Sequence, residues 1–254
     1  MAFLEIACFA PEHAILAYEA GADRIELCDN KEAGGTTPPL DWLYKVQKHV
    51  SIPVYVMIRP RGGDFHYTDA EYAQMKNQIQ AFKNQKADGY VFGMLSSDLK
   101  VDVARTAELI RLAHLLPCTF HKAFDEAADA FEAFEDVIEA GFSTILTSGG
   151  AASAMAGIDV LGQLVRMSRM REIAIMPGGG IRATTIAAVK GWTRASVFHS
   201  AAVPNGAQKP CAKEIRLMKE LIAGYTSDKT LAETIESANS VGSSTHAVEE
   251  RNPV

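Results

Sequence analysis

Several things are missing from this chain, and each absence narrows its role. No apolar run approaches the roughly 20 residues needed to span a bilayer, so no membrane-crossing helix is expected. Positive charge is not in excess: 25 Lys and Arg against 31 Asp and Glu give a formal net charge of −6. No basic stripe interleaves with aromatics either, which argues against a nucleic-acid partner. The opening MAFLEIACFAPEHA has no basic segment followed by a long apolar core, so it does not read as a signal peptide. Cysteine is scarce, with four in 254 residues (Cys8, Cys28, Cys118, Cys211), and a chain this size can bury a core without disulfides. Reduced thiols in a cytoplasmic protein are the expectation. Nothing indicates a nucleotide cofactor.

What is present is a recurring strand signature. Eight short apolar runs read LEIAC (Leu4–Cys8), RIELC (Arg24–Cys28), VYVMIRPR (Val54–Arg61), GYVFG (Gly89–Gly93), CTFHKAFD (Cys118–Asp125), TILTSGG (Thr144–Gly150), IAIMPGGG (Ile173–Gly180) and SVFHS (Ser196–Ser200). Most are separated by a stretch of helical periodicity. Alternating strands and helices in this number predict an α/β fold, a (β/α)8 TIM barrel. Polar residues crowd the C-terminal ends of the runs, where that fold keeps its sites.

The helical stretches carry start and stop signals. Pro11 suits a first helical turn and Gly21 closes that helix. Thr68 or Asp69 is a candidate N-cap for a helix reaching about Lys86. Later helices are expected over Val103–Leu115, up to Gly141, from Ser153 to about Ser168, over Thr184–Lys190 and over Lys213–Gly224. Past Tyr225 the chain turns polar and poor in large apolar residues. The expectation is one barrel domain over residues 1–225 and a tail over 226–254, partly disordered or with one short helix.

Alternation along a strand sends successive side chains to opposite faces, and the helix-facing side should be aliphatic. Ile25 and Leu27 then face the helices, which turns Arg24, Glu26 and Cys28 inward. Val54, Val56 and Ile58 face out, with Tyr55, Met57, Arg59 and Arg61 inward. Leu4 and Ile6 face out and Glu5 faces in, with Cys8 on the less certain side. Thr119 and His121 face in, Asp125 lies near the rim, and Lys122 is expected to point away from the lumen. The polar character of the other strands favours His199 as an inward residue. A barrel filled for stability alone would use aliphatic layers, and isolated buried charges cost several kcal/mol each. Two readings follow: an ion-pair network, such as Glu26 with Arg24 or Arg59, that seals the barrel, or a ligand site at its mouth.

Two glycine clusters end consecutive strands, Ser148-Gly149-Gly150 and Gly178-Gly179-Gly180. They either converge backbone N–H groups on an anion or make plain tight turns. Arg59 and Arg61 tilt the reading toward an anion. Cys8 and Cys28 end adjacent strands, about 4.8 Å apart in a sheet. They are either ordinary semi-buried thiols or a soft two-coordinate site of the kind Cu(I) accepts.

The ordered motifs GADRIELC (Gly21–Cys28), GGTTP (Gly34–Pro38), VMIRPRGGDF (Val56–Phe65), VFG (Val91–Gly93), TFHKAFD (Thr119–Asp125), ILTSGG (Ile145–Gly150) and MPGGGI (Met176–Ile181) resemble the CutC family of copper-homeostasis-type TIM barrels. The resemblance spans roughly residues 3 to 203. It implies a cytoplasmic, often dimeric barrel linked to copper handling, with Cu(I) held by Cys8 and Cys28. Three positions depart from the family pattern. Lys122 stands in HKAFD where HRAFD is usual. Ala33 stands where a Glu commonly precedes the two glycines, and Val197 replaces the Glu of Glu-Phe-His.

Two functions are therefore expected in competition. One is a copper-binding homeostasis protein with Cys8 and Cys28 as ligands. The other is a lyase, aldolase or isomerase acting on a small phosphorylated or carboxylated metabolite. For that enzyme the candidate catalytic residues are Glu26, Arg59, His121 and Asp125. Its candidate anion-binding residues are Arg61, Ser148, Gly149, Gly150, Gly178, Gly179 and Gly180. Lys122 as a Schiff-base former is disfavoured by its expected outward direction.

Overall fold

A computed structural model describes residues 2–114 and 116–224; the predicted tail over 226–254 lies outside them. Strands and helices alternate without exception: β1 Phe3–Cys8, α1 Pro11–Glu19, β2 Arg24–Leu27, α2 Leu40–Gln47, β3 Val54–Met57, α3 Asp69–Asn84, β4 Gly89–Phe92, α4 Val103–Ala113, β5 Cys118–Phe120, α5 Ala130–Ala140, β6 Thr144–Thr147, α6 Ile158–Ser168, β7 Ala174–Pro177, α7 Ala183–Thr193, β8 Val197–Ser200 and α8 Ala212–Ala223. The strands are parallel and ordered β7-β6-β5-β4-β3-β2-β1-β8, with β8 returning beside β7 in a nearly closed (β/α)8 barrel.

Local chemistry sets several boundaries. Thr68 accepts from the Glu71 N–H while the Glu71 side chain returns to the Thr68 N–H, a reciprocal cap that starts α3. Gly141, at φ +97°, closes α5. Helix α6 begins at Ile158, five residues later than the expected Ser153. Gly157, the N-cap of α6, crosses the turn after β6 so closely that a Cβ there would stand 1.9 Å from the Ser148 carbonyl oxygen.

Packing divides into two layers. The outer layer joins Leu4, Ile6, Ile25, Leu27, Val54, Val56 and Phe120 to the helices. The lumen holds a separate cluster of Cys28, Tyr55, Met57 and Val91. Register lines up the polar lumen residues. Glu5 lies opposite Arg24 on one side and His199 on the other, and Glu26 lies beside Tyr55. Gly89 continues that row because Tyr55 needs the room: a Cβ at Gly89 would lie 2.6 Å from its ring.

Candidate active site at the barrel mouth

A chain of charges runs up one side of the lumen. Arg24 Nε donates to Glu5 Oε2 at 2.5 Å, Glu5 Oε1 lies 2.7 Å from His199 Nδ1, and His199 Nε2 stands 3.8 Å from Glu26 Oε2. Arg24 also stacks its guanidinium 4.2 Å from the centre of the Tyr55 ring. Burial would raise the pKa of Glu5, but Arg24, with His199, outweighs it and holds the carboxyl well below the usual range. Burial raises Glu26, and the Glu5 charge adds to that against the pull of His199. Burial would lower His199, yet Glu26 and Glu5 outweigh it and raise its pKa. With Arg24 balancing Glu5, His199 and Glu26 are left to share a proton.

Both members of that pair border a cavity of about 130 Å³ at the C-terminal end of the strands, along with Arg59, Phe65, His121 and Lys122. Three residues that border it hold buried polar atoms without a partner, Glu26 Oε1, Arg59 Nε and His121 Nε2; Thr119 Oγ1 in the lumen is unpartnered as well. Buried polar atoms are nearly always satisfied, so three unsatisfied ones around one cavity single it out as the candidate ligand site. A larger open groove of about 590 Å³ lies at the other end of the barrel, bordered by Ile110, Arg111, His114, Pro117 and Ser143, and has no carboxylate on its rim.

His121 caps a 3-10 turn over Lys122–Glu126, its Nδ1 accepting the Ala123 N–H at 3.3 Å. Nδ1 therefore carries no proton and Nε2 does. Burial, with Arg59 nearby, pushes the His121 pKa down to about 3. The ring is a fixed neutral donor at neutral pH rather than a proton shuttle. Among the described residues no hydrogen bond or ion pair joins His121 to Asp125 or Glu26; the imidazole that stands opposite the Glu26 carboxylate is that of His199.

The turn also corrects Lys122. Period-two alternation stops at Phe120, where β5 ends, so Lys122 swings over the mouth. Its Nζ lies 3.3 Å from both Ser148 Oγ and Asp125 Oδ2.

The expected anion cradle is filled from within. The Asp125 carboxylate accepts from the Ser148 N–H at 2.9 Å, the Gly150 N–H at 2.9 Å, Ser148 Oγ at 2.9 Å and Thr147 Oγ1 at 2.5 Å. Gly149 N–H goes to Thr147 Oγ1 and Gly178 N–H to the Thr147 carbonyl. Ser148, Gly149, Gly150 and Gly178 are thus committed to the protein, and Asp125 is a structural anion rather than an acid–base group. Gly179 and Gly180 remain at the mouth, where a Cβ on Gly179 would lie 3.2 Å from Lys122 Nζ.

The two arginines part company. Arg59 borders the cavity, but its Nη1 donates to the carbonyls of Ala33 and Gly35 and its Nη2 to that of Gly63. Arg61, half-exposed, is spent on Glu71, Asp64 and the His66 carbonyl in the loop after β3 and is not at the mouth. The inward assignment fails for Arg61 because β3 ends at Met57.

The two thiols bear on whether copper could be held here. Cys8 keeps the parity of Leu4 and Ile6 and packs in the outer layer; Cys28 packs in the lumen, its Sγ 3.3 Å from Glu26 Oε2. The two side chains leave opposite faces of the sheet. Burial, with Glu26 close by, pushes both thiols well above the ordinary value, whereas a metal ligand must be a thiolate. The pair does not fit a two-thiolate Cu(I) site. Glu5, Glu26 and His199 could bring three ligand atoms within 4.8 Å of one another, but both Glu5 oxygens are already engaged by Arg24 and His199. That set is also too rich in oxygen for Cu(I).

Sequence reasoning placed His199 inward without giving it a role. Its signal was the register of β8 beside Glu5. Lys122 was expected to point away from the lumen because nothing local announces the 3-10 turn.

The CutC family model matches residues 2–203. The Homo sapiens copper homeostasis protein cutC homolog is 42% identical over 199 residues, covering 78% of this chain and 72% of that protein. A CutC family protein of Salmonella schwarzengrund is 42% identical over 186 residues, covering 73% and 74%. The crystal structure of CutC from Streptococcus agalactiae superposes with a TM-score of 0.75 at 30% identity, over 79% of this chain and 99% of that one. A phosphoribosylanthranilate isomerase from Thermotoga maritima, with a TM-score of 0.56 at 11% identity over 88% and 100% of the chains, shares the fold alone.

Proposed function

This chain belongs to the CutC copper homeostasis family, and on that premise we propose that it is an enzyme moving a proton on a small anionic carbonyl compound, an isomerase or lyase. The observation that carries the reading is the ring of unsatisfied polar atoms, Glu26 Oε1, Arg59 Nε and His121 Nε2, around a cavity that His199 also borders. A family role in copper homeostasis does not require this lumen to hold the metal. The opposed, protonated thiols do not fit Cu(I), so no step runs through copper. A cytoplasmic location and a homodimer, which the family likeness implies, belong to the same proposal.

In the proposed step Glu26, ionised while His199 holds the shared proton, takes a proton from the carbon beside the substrate carbonyl. The C–H electron pair moves into the new C=C bond and the carbonyl pair to oxygen, giving an enolate. His121 Nε2–H and the Lys122 ammonium offer hydrogen bonds to that oxygen. Such preorganised donors stabilise charge as it develops. Where the carbon that lost the proton carries a hydroxyl, the hydroxyl proton passes to the enolate oxygen, the hydroxyl carbon becomes the new carbonyl, and return of the proton from Glu26 to the former carbonyl carbon completes an isomerisation. Glu5 acts through His199: by accepting Nδ1–H it keeps Nε2 toward Glu26.

The test is solvent deuterium incorporation, followed by proton NMR, over a panel of carbonyl-bearing carboxylates and phosphates. The expected result is exchange beside the carbonyl of one class, lost in Glu26→Gln. A panel without exchange, or exchange that survives Glu26→Gln, would overturn the reading.

A further inference from the structure

We propose that the ligand of the mouth is a short 2-oxo carboxylate and not a phosphate ester; this rests on the acid–base reading above.

The cationic side chains decide it. Arg24 is bound to Glu5 in the lumen. Three donations from the Arg59 terminal nitrogens already go to backbone carbonyls. Arg61 is turned into the loop after β3. Beside the Glu26–His199 pair, the cavity is bordered by Lys122, Arg59 and His121, the last two with unpartnered Nε and Nε2 atoms. That is two cations, Lys122 and Arg59, and one neutral N–H donor, and the Asp125 carboxylate 3.3 Å from the Lys122 ammonium offsets one of the two charges. With Asp125 set against Lys122 and Glu26 set against His199, Arg59 leaves one net positive charge at the cavity, which a monoanion matches and a phosphate dianion exceeds.

Backbone chemistry points the same way. Phosphate sites at barrel mouths use converging N–H groups of glycine loops. Those of Ser148 and Gly150 already hold the Asp125 carboxylate. A carboxylate with an adjacent carbonyl needs less. It presents three oxygens in one plane to three donors and carries one charge.

Size agrees. A cavity of about 130 Å³ is close to one that holds benzene, so it suits a ligand of roughly six heavy atoms. The carbon next to the ligand's carbonyl is then the one left for Glu26.

The test uses the full chain and an equilibrium readout. Pyruvate, inorganic phosphate and glycerol 3-phosphate are titrated while the His121 and His199 ring resonances are followed by NMR, in wild type, Lys122→Met and His121→Gln. Pyruvate should bind about tenfold or more tightly than inorganic phosphate, and either variant should weaken it by about tenfold. Tighter binding of either phosphate overturns this inference and leaves the acid–base reading standing. Pyruvate binding indifferent to both variants overturns it as well. If none of the three moves the rings this inference fails, and the deuterium screen decides separately whether the acid–base reading survives.

Discussion

His199 Nδ1 and Glu5 Oε1 meet at 2.7 Å across the join between the last strand and the first. The contact closes one side of the barrel and also fixes a tautomer. With Nδ1–H given to Glu5, His199 presents Nε2 toward Glu26 at 3.8 Å. The same buried carboxylate therefore ties the fold to the chemistry.

Glu5 is fully buried and depends on Arg24 for its charge balance. Arg24→Met should destabilise the protein by roughly 3–5 kcal/mol, the usual effect of stranding one half of a buried pair. Adding Glu5→Gln should recover much of that loss. Urea denaturation of both single variants and the double checks it, and strictly additive losses would count against the pairing.

Asp125 fills a cradle that would otherwise take an anion. Asp125→Ala leaves the Ser148 and Gly150 N–H groups without acceptors and should cost about 1–3 kcal/mol or more. Acetate or sulfate should restore part of the melting temperature of the variant and do little for wild type. Equal response of the two proteins to anions would contradict the cradle.

His121 should shape the acid limb of stability. Its pKa is lowered by burial from 6.5 to about 3, so between these values the unfolded chain binds a proton that the folded one refuses. Stability then rises with pH across that window and is lost as pH falls, at a slope of up to about 1.4 kcal/mol per pH unit. His121→Gln should flatten the unfolding free energy between pH 6.5 and 3 relative to wild type. An unchanged slope would show that the ring protonates in the folded protein.

Cys8 and Cys28 are buried with raised pKa values, while Cys211 is half-buried at the start of α8. In the native protein, alkylation should mark Cys211 more than about tenfold faster than either. Mass mapping of the labelled peptides reads this out. Fast native labelling of Cys8 or Cys28 would reveal a thiolate that the described packing does not provide.

The barrel was legible because buried parallel strands read as near-continuous apolar runs, and here most ended in a polar or glycine-rich signature. Within strands the faces were legible too. Arg24, Glu26, Tyr55, Met57 and Thr119 all lie in rows that register assigns to the lumen. Alternation carries information only as far as the strand does. Arg61, Lys122 and Asp125 lie beyond the last paired residues of β3 and β5, and their directions come from loop packing. The filling of the β6 turn by Asp125 joins residues more than twenty positions apart. Cys8 is a different case: its parity with Leu4 and Ile6 pointed outward, but the strand end left its side open.

The most direct test of the central claim is an NMR pH titration of the histidine ring nitrogens in wild type and Glu26→Gln. The account predicts that His199 titrates above the ordinary value of 6.5, and that its pKa falls when Glu26 becomes Gln. It predicts that His121 stays neutral with its proton on Nε2 down to about pH 3. Two rings titrating together near 6.5, indifferent to Glu26, would contradict the acid–base pair and the site built on it.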